Sequence, residues 1–396
     1  MRIRLSRSAR VGTLIITLMV TLLAGLTGFS GESRAQSTIP NRFADTTFWR
    51  MTIDFSEPNG FFRSDNLLSN ESSFQWVVPS LAKMTRPDGV YLGVAPEQNF
   101  TFIAALKPKV AFIADIRRGN LIGHLVYKAL FEMSPNRVDF TFNLFGRPRP
   151  VGVGTNLGVE ELFTLIGSTR LDTVFARKTL NEIKDRLMKT HGFPLSKEDV
   201  DYVDYVYMAL SGNGPGIRYN MGGANSGRGY GRGGMPNYAN LMTETDSTGN
   251  HSAYLATDEA YNYVKNMEER NMIVPFTGDF AGPKALRAVG QYVRDHNAVI
   301  QAIYVSNVEQ YLWQGAGDNW RKYYENVATL PTDSGSVFIR SATNGYVPLN
   351  QNPRQLVRQQ SINSRQNELL CPVAAHMKAF NEGKLQQYYD VFAYCR

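Results

Sequence analysis

Hydrophobic residues in this chain occur either in short continuous runs or at helical spacing, and the two patterns alternate. The runs at 90–94 and 110–114 are apolar throughout, and two further runs follow at 273–276 and 299–305. Runs of this length indicate strands that are buried on both faces. Because segments with helical spacing and short connections separate them, the pattern predicts a Rossmann-like α/β domain with three layers and a mostly parallel sheet.

The remaining segments divide the chain into three parts. Residues 1–35 form a targeting segment, and residues 36–345 form the Rossmann-like domain. Within that domain, 158–260 is a helical insertion that carries a glycine-rich loop, while 36–60 is predicted to be irregular and 66–83 helical. Residues 346–396 form a C-terminal helical extension, with a final helix predicted over 375–394.

The N-terminal segment has the three regions of a secretory signal peptide. Four arginines precede an apolar run at 11–29, and Ser33 and Ala35 place small residues before a cleavage site at Gln36. We therefore expect a periplasmic or secreted protein. The alternative is an uncleaved anchor, because the apolar run is nearly long enough to span a bilayer, and this segment is then the protein's contact with the membrane.

Most of the positive charge belongs to that same segment. The chain has 42 basic and 35 acidic residues, a net charge of +7, and residues 1–35 contain five arginines and one glutamate. The rest of the chain therefore carries 37 basic and 34 acidic residues, or +3. This balance does not indicate a nucleic acid as partner, so we expect a small-molecule ligand.

The two cysteines, Cys371 and Cys395, are predicted to form a structural disulfide, as an oxidising compartment favours. The five histidines are scattered, so no metal site is expected. The sequence also has no G-x-S-x-G, Walker A or H-E-x-x-H motif.

Polar residues follow several of the predicted strands. Gly93 opens a loop after the first strand, and Asp115 ends the second strand 22 positions later. In nucleotide-binding α/β domains the first loop contacts the ligand, and an acidic residue about 20 positions on binds the ribose hydroxyls. Residues 63–71 lie upstream and are predicted to fold over this crevice as a lid.

These positions define two sets of candidate binding residues. The predicted cofactor-binding residues are Asn70, Glu71, Gly93, Glu97, Gln98, Asn99, Asp115, Ile116 and Arg117. The predicted substrate-binding residues are Arg118, Asn120, Asp279, Asn307 and Glu309. No residue stands out as a catalytic base.

Three stretches resemble a family of uncharacterised exported bacterial proteins: GVYLGVAPEQNFTFIAALKPKVAFIADIRRGN at 89–120, GDFAGPKALRAVG at 278–290 and YVSNVEQYL at 304–312. The order of elements is similar to that of class I S-adenosylmethionine-dependent methyltransferases, in which Gly93 and Asp115 match the glycine-rich loop and the ribose-binding acid. This resemblance implies S-adenosylmethionine as cofactor. The loop differs from the family pattern, because Gly93 is its single glycine and Pro96 stands in its middle.

Three functions are compatible with these features. The first is an exported methyltransferase-like protein that binds S-adenosylmethionine or a related nucleotide-like ligand at the strand ends. The second is a non-catalytic periplasmic binding or envelope protein with the same fold, in which Arg117 and Arg118 balance the charge of a small anion. The third is a hydrolase with a pair of carboxylates chosen from Glu97, Asp115 and Asp279.

Overall fold

Six strands form one sheet in the computed structural model, which describes residues 36–86, 88–219, 235–315, 317–343 and 366–395. The strands are β1 (Gly89–Val94), β2 (Val110–Asp115), β3 (Ile273–Thr277), β4 (Val299–Ser306), β5 (Val337–Thr343) and β6 (Gln366–Pro372). Their order in the sheet is β3-β2-β1-β4-β5-β6, and β5 with β6 is the antiparallel pair. The order reverses between β1 and β4, which is the topological switch point of a Rossmann-like sheet.

Helices pack on both sides of the sheet. Their bounds are α1 (Asp45–Phe55), α2 (Val78–Ala82), α3 (Gln98–Leu106), α4 (Arg118–Met133), α5 (Arg137–Leu144), α6 (Val159–Ser168), α7 (Thr173–Asp185), α8 (Lys197–Asn213), α9 (Tyr238–Thr243), α10 (Asp258–Glu269), α11 (Ala285–Asp295), α12 (Val308–Gln314), α13 (Asn319–Ala328) and α14 (Val373–Asn381). Every residue of β1, β2 and β3 is buried, as their apolar runs indicated. The predicted Rossmann-like α/β class is therefore confirmed.

The N-terminal part differs from the prediction at two places. Residues 36–60 were expected to be irregular, but α1 lies there, and Phe48, Met51, Thr52 and Phe55 form its buried face. Their spacing of three or four positions is the helical period. A helix was expected over 66–83, yet this part contains a 3₁₀ turn at Phe74–Val77 followed by the short α2.

The C-terminal part adds a strand to the sheet, which the sequence pattern did not predict. β6 pairs with β5, and it is followed by α14 and a 3₁₀ turn at Tyr388–Tyr394 instead of one continuous helix. The predicted disulfide between Cys371 and Cys395 is present and joins β6 to the end of that turn. The predicted signal segment at 1–35 and the central part of the glycine-rich loop, at 220–234, lie outside the described residues.

Candidate functional site

A segment of 18 residues, 56–73, crosses the carboxyl ends of the strands, and we call it the strap. The Glu57 N–H donates to the Thr277 carbonyl at the end of β3 (2.9 Å), and the Gly60 N–H donates to the Ile116 carbonyl just after β2 (2.8 Å). Further along, the Ser69 N–H donates to Glu97 beyond β1 (3.0 Å to Oε1). The strap therefore crosses the carboxyl ends of β3, β2 and β1, and it includes residues 63–71, for which the sequence predicted a lid.

The first part of the strap is fixed by a helix cap. The Glu57 carboxylate accepts three backbone hydrogen bonds, from Asp279 (2.8 Å), Lys284 (2.7 Å) and Ala285 (3.1 Å). Two of these N–H groups, those of Lys284 and Ala285, lie at the start of α11, where the helix dipole stabilises a negative charge. A Cβ atom at Gly282 would collide with the Glu57 carboxylate, so glycine is required there. A carboxylate of the protein itself thus occupies an anion-binding position.

The loop after β1 is stabilised by one asparagine. Asn99 Nδ2 donates to the carbonyls of residues 94–96 at 2.7–2.9 Å, and its Oδ1 accepts from the Tyr91 hydroxyl (2.8 Å). A side chain at Gly93 would collide with Asn99 and Tyr91. Gly93 therefore makes room for an internal hydrogen-bond network. Ala95 takes the left-handed conformation (φ 66°) that favours glycine.

Two other predicted cofactor residues on this loop are bonded within the protein. Both Glu97 oxygens accept from the Ser69 N–H, and Gln98 Nε2 donates to the Tyr304 hydroxyl (2.7 Å). Burial raises the pKa of Glu97 to about 8, so its carboxyl is largely neutral at pH 7. Beneath the loop, His124 Nε2 contacts the Ala95 carbonyl (3.0 Å), and burial lowers the pKa of this histidine to about 4.

Asp115, Arg117 and Asn120 retain hydrogen-bonding capacity at the end of β2. Asp115 Oδ1 accepts from the Arg117 N–H (2.9 Å), while its Oδ2 has no hydrogen bond within the described part of the chain. Arg117 Nη1 donates to the Asp65 carbonyl (2.6 Å), and its Nε lies 3.7 Å from Asp115 Oδ1. Arg117 Nε and Nη2 and Asn120 Nδ2 are buried without a hydrogen bond of standard geometry to any described residue, while the Tyr202 hydroxyl of α8 lies close to the Arg117 guanidinium. Burial raises the pKa of Asp115, and the Arg117 charge opposes this effect.

Ile116, Asn70 and Arg118 lie near this group with different contacts. The Ile116 side chain packs against Gly60 of the strap, and Asn70 is half-buried in the strap. Arg118 forms a bidentate ion pair with Asp199 of α8, at 2.6 and 2.7 Å. A ligand that uses Arg118 as a counter-charge therefore competes with Asp199.

The substrate-binding residues predicted beyond β3 and β4 have different surroundings. Asp279 Oδ1 accepts from the Ala281 N–H (2.8 Å), and Asn307 is half-buried after β4. Glu309 is buried on the first turn of α12, where both of its oxygens bond the Arg340 guanidinium, at 2.6 and 2.9 Å. The ligand roles of these three residues stay predictions.

Glu71 belongs to a buried polar cluster of which the sequence revealed only part. Its Oε2 accepts from the Tyr304 hydroxyl (2.5 Å), and its Oε1 accepts from the Ser306 hydroxyl. The carboxyl of Glu368 on β6 lies against that of Glu71. Tyr304 and Glu368 were not predicted, because one lies within an apolar run and the other within a segment expected to be helical.

Within the described residues there is no group of three or more histidine, cysteine or acidic side chains suited to a metal ion. No helix in the same part of the chain is long and apolar enough to cross a membrane. At the end of β2, the side-chain atoms without a hydrogen bond among the described residues are one Asp115 oxygen, two Arg117 nitrogens and the Asn120 amide nitrogen.

A comparison with protein families gives a match to a family described as "Domain of unknown function (DUF7790)". The match covers residues 67–146 and 228–382, which is more than half of the chain. The chain belongs to this family. The matched parts contain the six strands and the end of the strap, and they leave out α6, α7 and α8. No curated protein matches the chain.

Proposed function

We propose that this chain is an exported protein that binds a nucleoside-type ligand of the S-adenosylmethionine class at the carboxyl ends of β1 and β2. The observation that carries the proposal is the uncommitted capacity of Asp115, Arg117 and Asn120. A carboxylate oxygen accepts hydrogen bonds from vicinal hydroxyls, and the guanidinium and amide donate to acceptors next to them. All three residues lie beside the switch point, where ligands of Rossmann-like domains bind.

Burial of unpaired donors strengthens this argument. A buried polar group without a hydrogen bond costs about 1–3 kcal/mol, and Arg117 and Asn120 together present three such nitrogen atoms. A bound ligand that accepts from these atoms recovers that cost. The same ligand has to displace strap residues near Gly60 and Asp65, which now cover the end of β2.

We propose binding without chemistry as the second candidate function. The observation that favours it is the engagement of the acids around the loop after β1: Glu97 and Glu71 use their oxygens for bonds within the protein. Both are fully buried, so neither is placed to take a proton from a substrate. A hydrolase with two accessible carboxylates receives no such support, because the described pair in contact, Glu71 and Glu368, is buried.

Isothermal titration with S-adenosylmethionine and with S-adenosylhomocysteine tests the first proposal. We expect heat of binding for the full chain and at least about a tenfold loss of affinity in Asp115→Asn, which keeps the shape but removes the charge. Asp54→Asn, at an exposed position on α1, is the matched control. Absence of binding to both compounds, at pH 5.5 and at pH 8.5, would remove the S-adenosylmethionine class.

If one of the compounds binds, the second candidate is tested by product analysis. Mass spectrometry after incubation with S-adenosylmethionine and envelope extract detects methyl transfer as formation of S-adenosylhomocysteine. Binding without any product in the extract supports the non-catalytic function, and product formation above that of the Asp115→Asn variant contradicts it.

A further inference from the structure

The second half of the strap is attached to the sheet through a buried acid. Glu71 is fully buried, and its two oxygens accept from the hydroxyls of Tyr304 and Ser306 at the end of β4. The Glu71 N–H in turn donates to Ser69 Oγ (3.0 Å), which fixes the backbone of this turn. The position of strap residues 69–71 therefore depends on the state of one carboxyl group.

That carboxyl group faces another acid. The carboxyl of Glu368 on β6 lies against that of Glu71, and the Ser341 side chain of β5 lies beside both. The other titratable groups that face Glu71 are Tyr304 on β4, Tyr91 on β1, Glu97 beyond β1 and Tyr388 in the C-terminal 3₁₀ turn. Neither Glu71 nor Glu97 forms an ion pair with any lysine, arginine or histidine of the described residues.

Two carboxyl groups in contact at such a buried place do not both ionise without a large energetic cost, so they share a proton. Burial raises the pKa of Glu71 and, together with the Glu71 charge, raises that of Glu368 well above its ordinary range. When the strap leaves the sheet, both groups reach water and their pKa values return toward the ordinary value of about 4.3.

Glu97 gives the strap a second attachment of the same kind. Its oxygens accept the Ser69 N–H, two positions before Glu71, and burial raises its pKa to about 8. Ionisation of Glu97, or loss of the proton that Glu71 and Glu368 share, therefore adds a negative charge to the buried groups under the closed strap. Both attachments weaken in the same direction as the pH rises.

We propose that the second half of the strap, residues 61–73, is a pH-controlled cover of the crevice, closed while the Glu71–Glu368 pair holds a proton and opened when that proton leaves. Opening uncovers Asp115 and Arg117, since Arg117 loses its bond to the Asp65 carbonyl. The movement is a property of the chain alone, whereas its effect on ligand binding rests on the function proposed above.

The direction in which pH shifts the equilibrium between the closed and the open strap follows from proton linkage. A group with a raised pKa in the closed state favours closure below its ordinary pKa, and the advantage is lost as the pH rises through the raised value. If opening releases one proton, the opening equilibrium constant increases about tenfold for each pH unit between these two values. Opening is therefore rare at pH 5 and frequent at pH 8 and above.

Hydrogen exchange followed by mass spectrometry measures this equilibrium in the full chain. After correction for the intrinsic rates, exchange in 61–73 should increase by about tenfold per pH unit over part of the range 5–9. Residues 57–60 are the internal control, because the Glu57 cap and backbone bonds hold them. Equal protection of 61–73 across the whole pH range would overturn the proposal.

Glu368→Gln is the variant that decides the mechanism. An amide keeps the shape and donates to Glu71 at every pH, so the share of the pH dependence that comes from the pair should disappear. Exchange in 61–73 should then rise less from pH 5.5 to 8.5 than in the wild type, with the contribution of Glu97 left. Glu325→Gln, at an exposed position on α13, should behave as wild type. A Glu368→Gln chain with the wild-type pH dependence would contradict the proposal. If circular dichroism shows this variant unfolded, Glu71→Gln replaces it, with the same expected result and the same contradiction.

The result of the exchange experiment does not depend on the result of the titration with S-adenosylmethionine, so each tests its own proposal. Flat exchange together with binding of the compound removes the pH-controlled cover and leaves the proposed function in place. pH-dependent exchange without binding keeps the cover and removes the S-adenosylmethionine class of ligand.

Discussion

The ion pair between Glu309 and Arg340 offers the sharpest test of how buried charge supports this fold. The two side chains are 2% and 1% exposed, and two hydrogen bonds of 2.6 and 2.9 Å join them. The Tyr324 hydroxyl donates a third bond to Glu309 (2.8 Å), and the guanidinium carbon lies 4.1 Å from the centre of the Phe338 ring. Replacing Arg340 by methionine leaves Glu309 buried with one neutral donor.

The expected loss follows from the cost of an uncompensated buried charge. Removing one partner of a buried pair typically destabilises a protein by about 3–5 kcal/mol. With an unfolding entropy of about 2.1 cal/mol/K per residue, a chain of this size loses about 4–7 °C in melting temperature. In Glu309→Leu combined with Arg340→Met no charge is left unpaired, so we expect the double variant to regain most of that loss.

Thermal unfolding followed by circular dichroism measures the effect, with urea unfolding as a second determination. Lys197→Met is the control, since Lys197 and Asp201 form a pair of similar length (2.6 Å) at 82% and 62% exposure, where we expect no measurable change. A loss of less than about 1 kcal/mol in Arg340→Met would refute the assignment of Glu309 to the core. Glu309 would then be available for the ligand role that its place after β4 suggested.

Three further predictions concern other parts of the chain. Glu57→Gln should lower the free energy of unfolding by about 1–2 kcal/mol in urea unfolding, because the start of α11 loses its anionic cap; an unchanged midpoint would contradict this. Ala95→Gly should raise the free energy of unfolding by about 0.5–1 kcal/mol, and with it the urea midpoint, because glycine adopts the left-handed backbone without strain. A lower midpoint would count against strain at this residue. His191 bonds Asp45 and Glu132 (both 2.8 Å); burial disfavours its charge, but these carboxylates outweigh burial and raise its pKa. Its contribution to stability is therefore complete below about pH 6.5 and lost as the pH rises through the raised value. His191→Gln should accordingly make the urea midpoint depend less on pH between 6 and 9 than in the wild type, and an unchanged slope would contradict the assignment.

The sheet was predictable because its central strands are buried on both faces. The runs at 90–94, 110–114, 273–276 and 299–305 all lie in parallel strands, and the topology follows from alternation with helices. Pro275 lies in β3, and a proline is tolerated there because β3 is an edge strand of the sheet.

The missed elements have polar residues at buried positions. In α1 the buried face includes Thr52, and in β6 the buried Glu368 interrupts the apolar pattern. Glu368 is buried against Glu71 of the strap, a distant part of the chain, whereas the buried Thr52 hydroxyl has no hydrogen bond to any described residue. A local hydrophobic pattern contains no information about a partner some 300 positions away, so it assigns such segments to irregular structure or to the surface.

The contacts of the candidate binding residues could not be predicted from the local sequence either. Asp115 and Glu309 both lie at the carboxyl side of a strand and next to the start of a helix, so the sequence pattern does not distinguish them. Both ligands and internal caps use the N–H groups and side-chain donors that collect there. What separates the two residues is the partner: Arg340 takes both oxygens of Glu309, whereas the Arg117 N–H takes one oxygen of Asp115. Among the predicted binding residues with described contacts, Arg117, Asn120 and Gln98 have buried side-chain atoms without a hydrogen bond. The first two lie with the free Asp115 oxygen at the end of β2, and a ligand search is therefore best directed there.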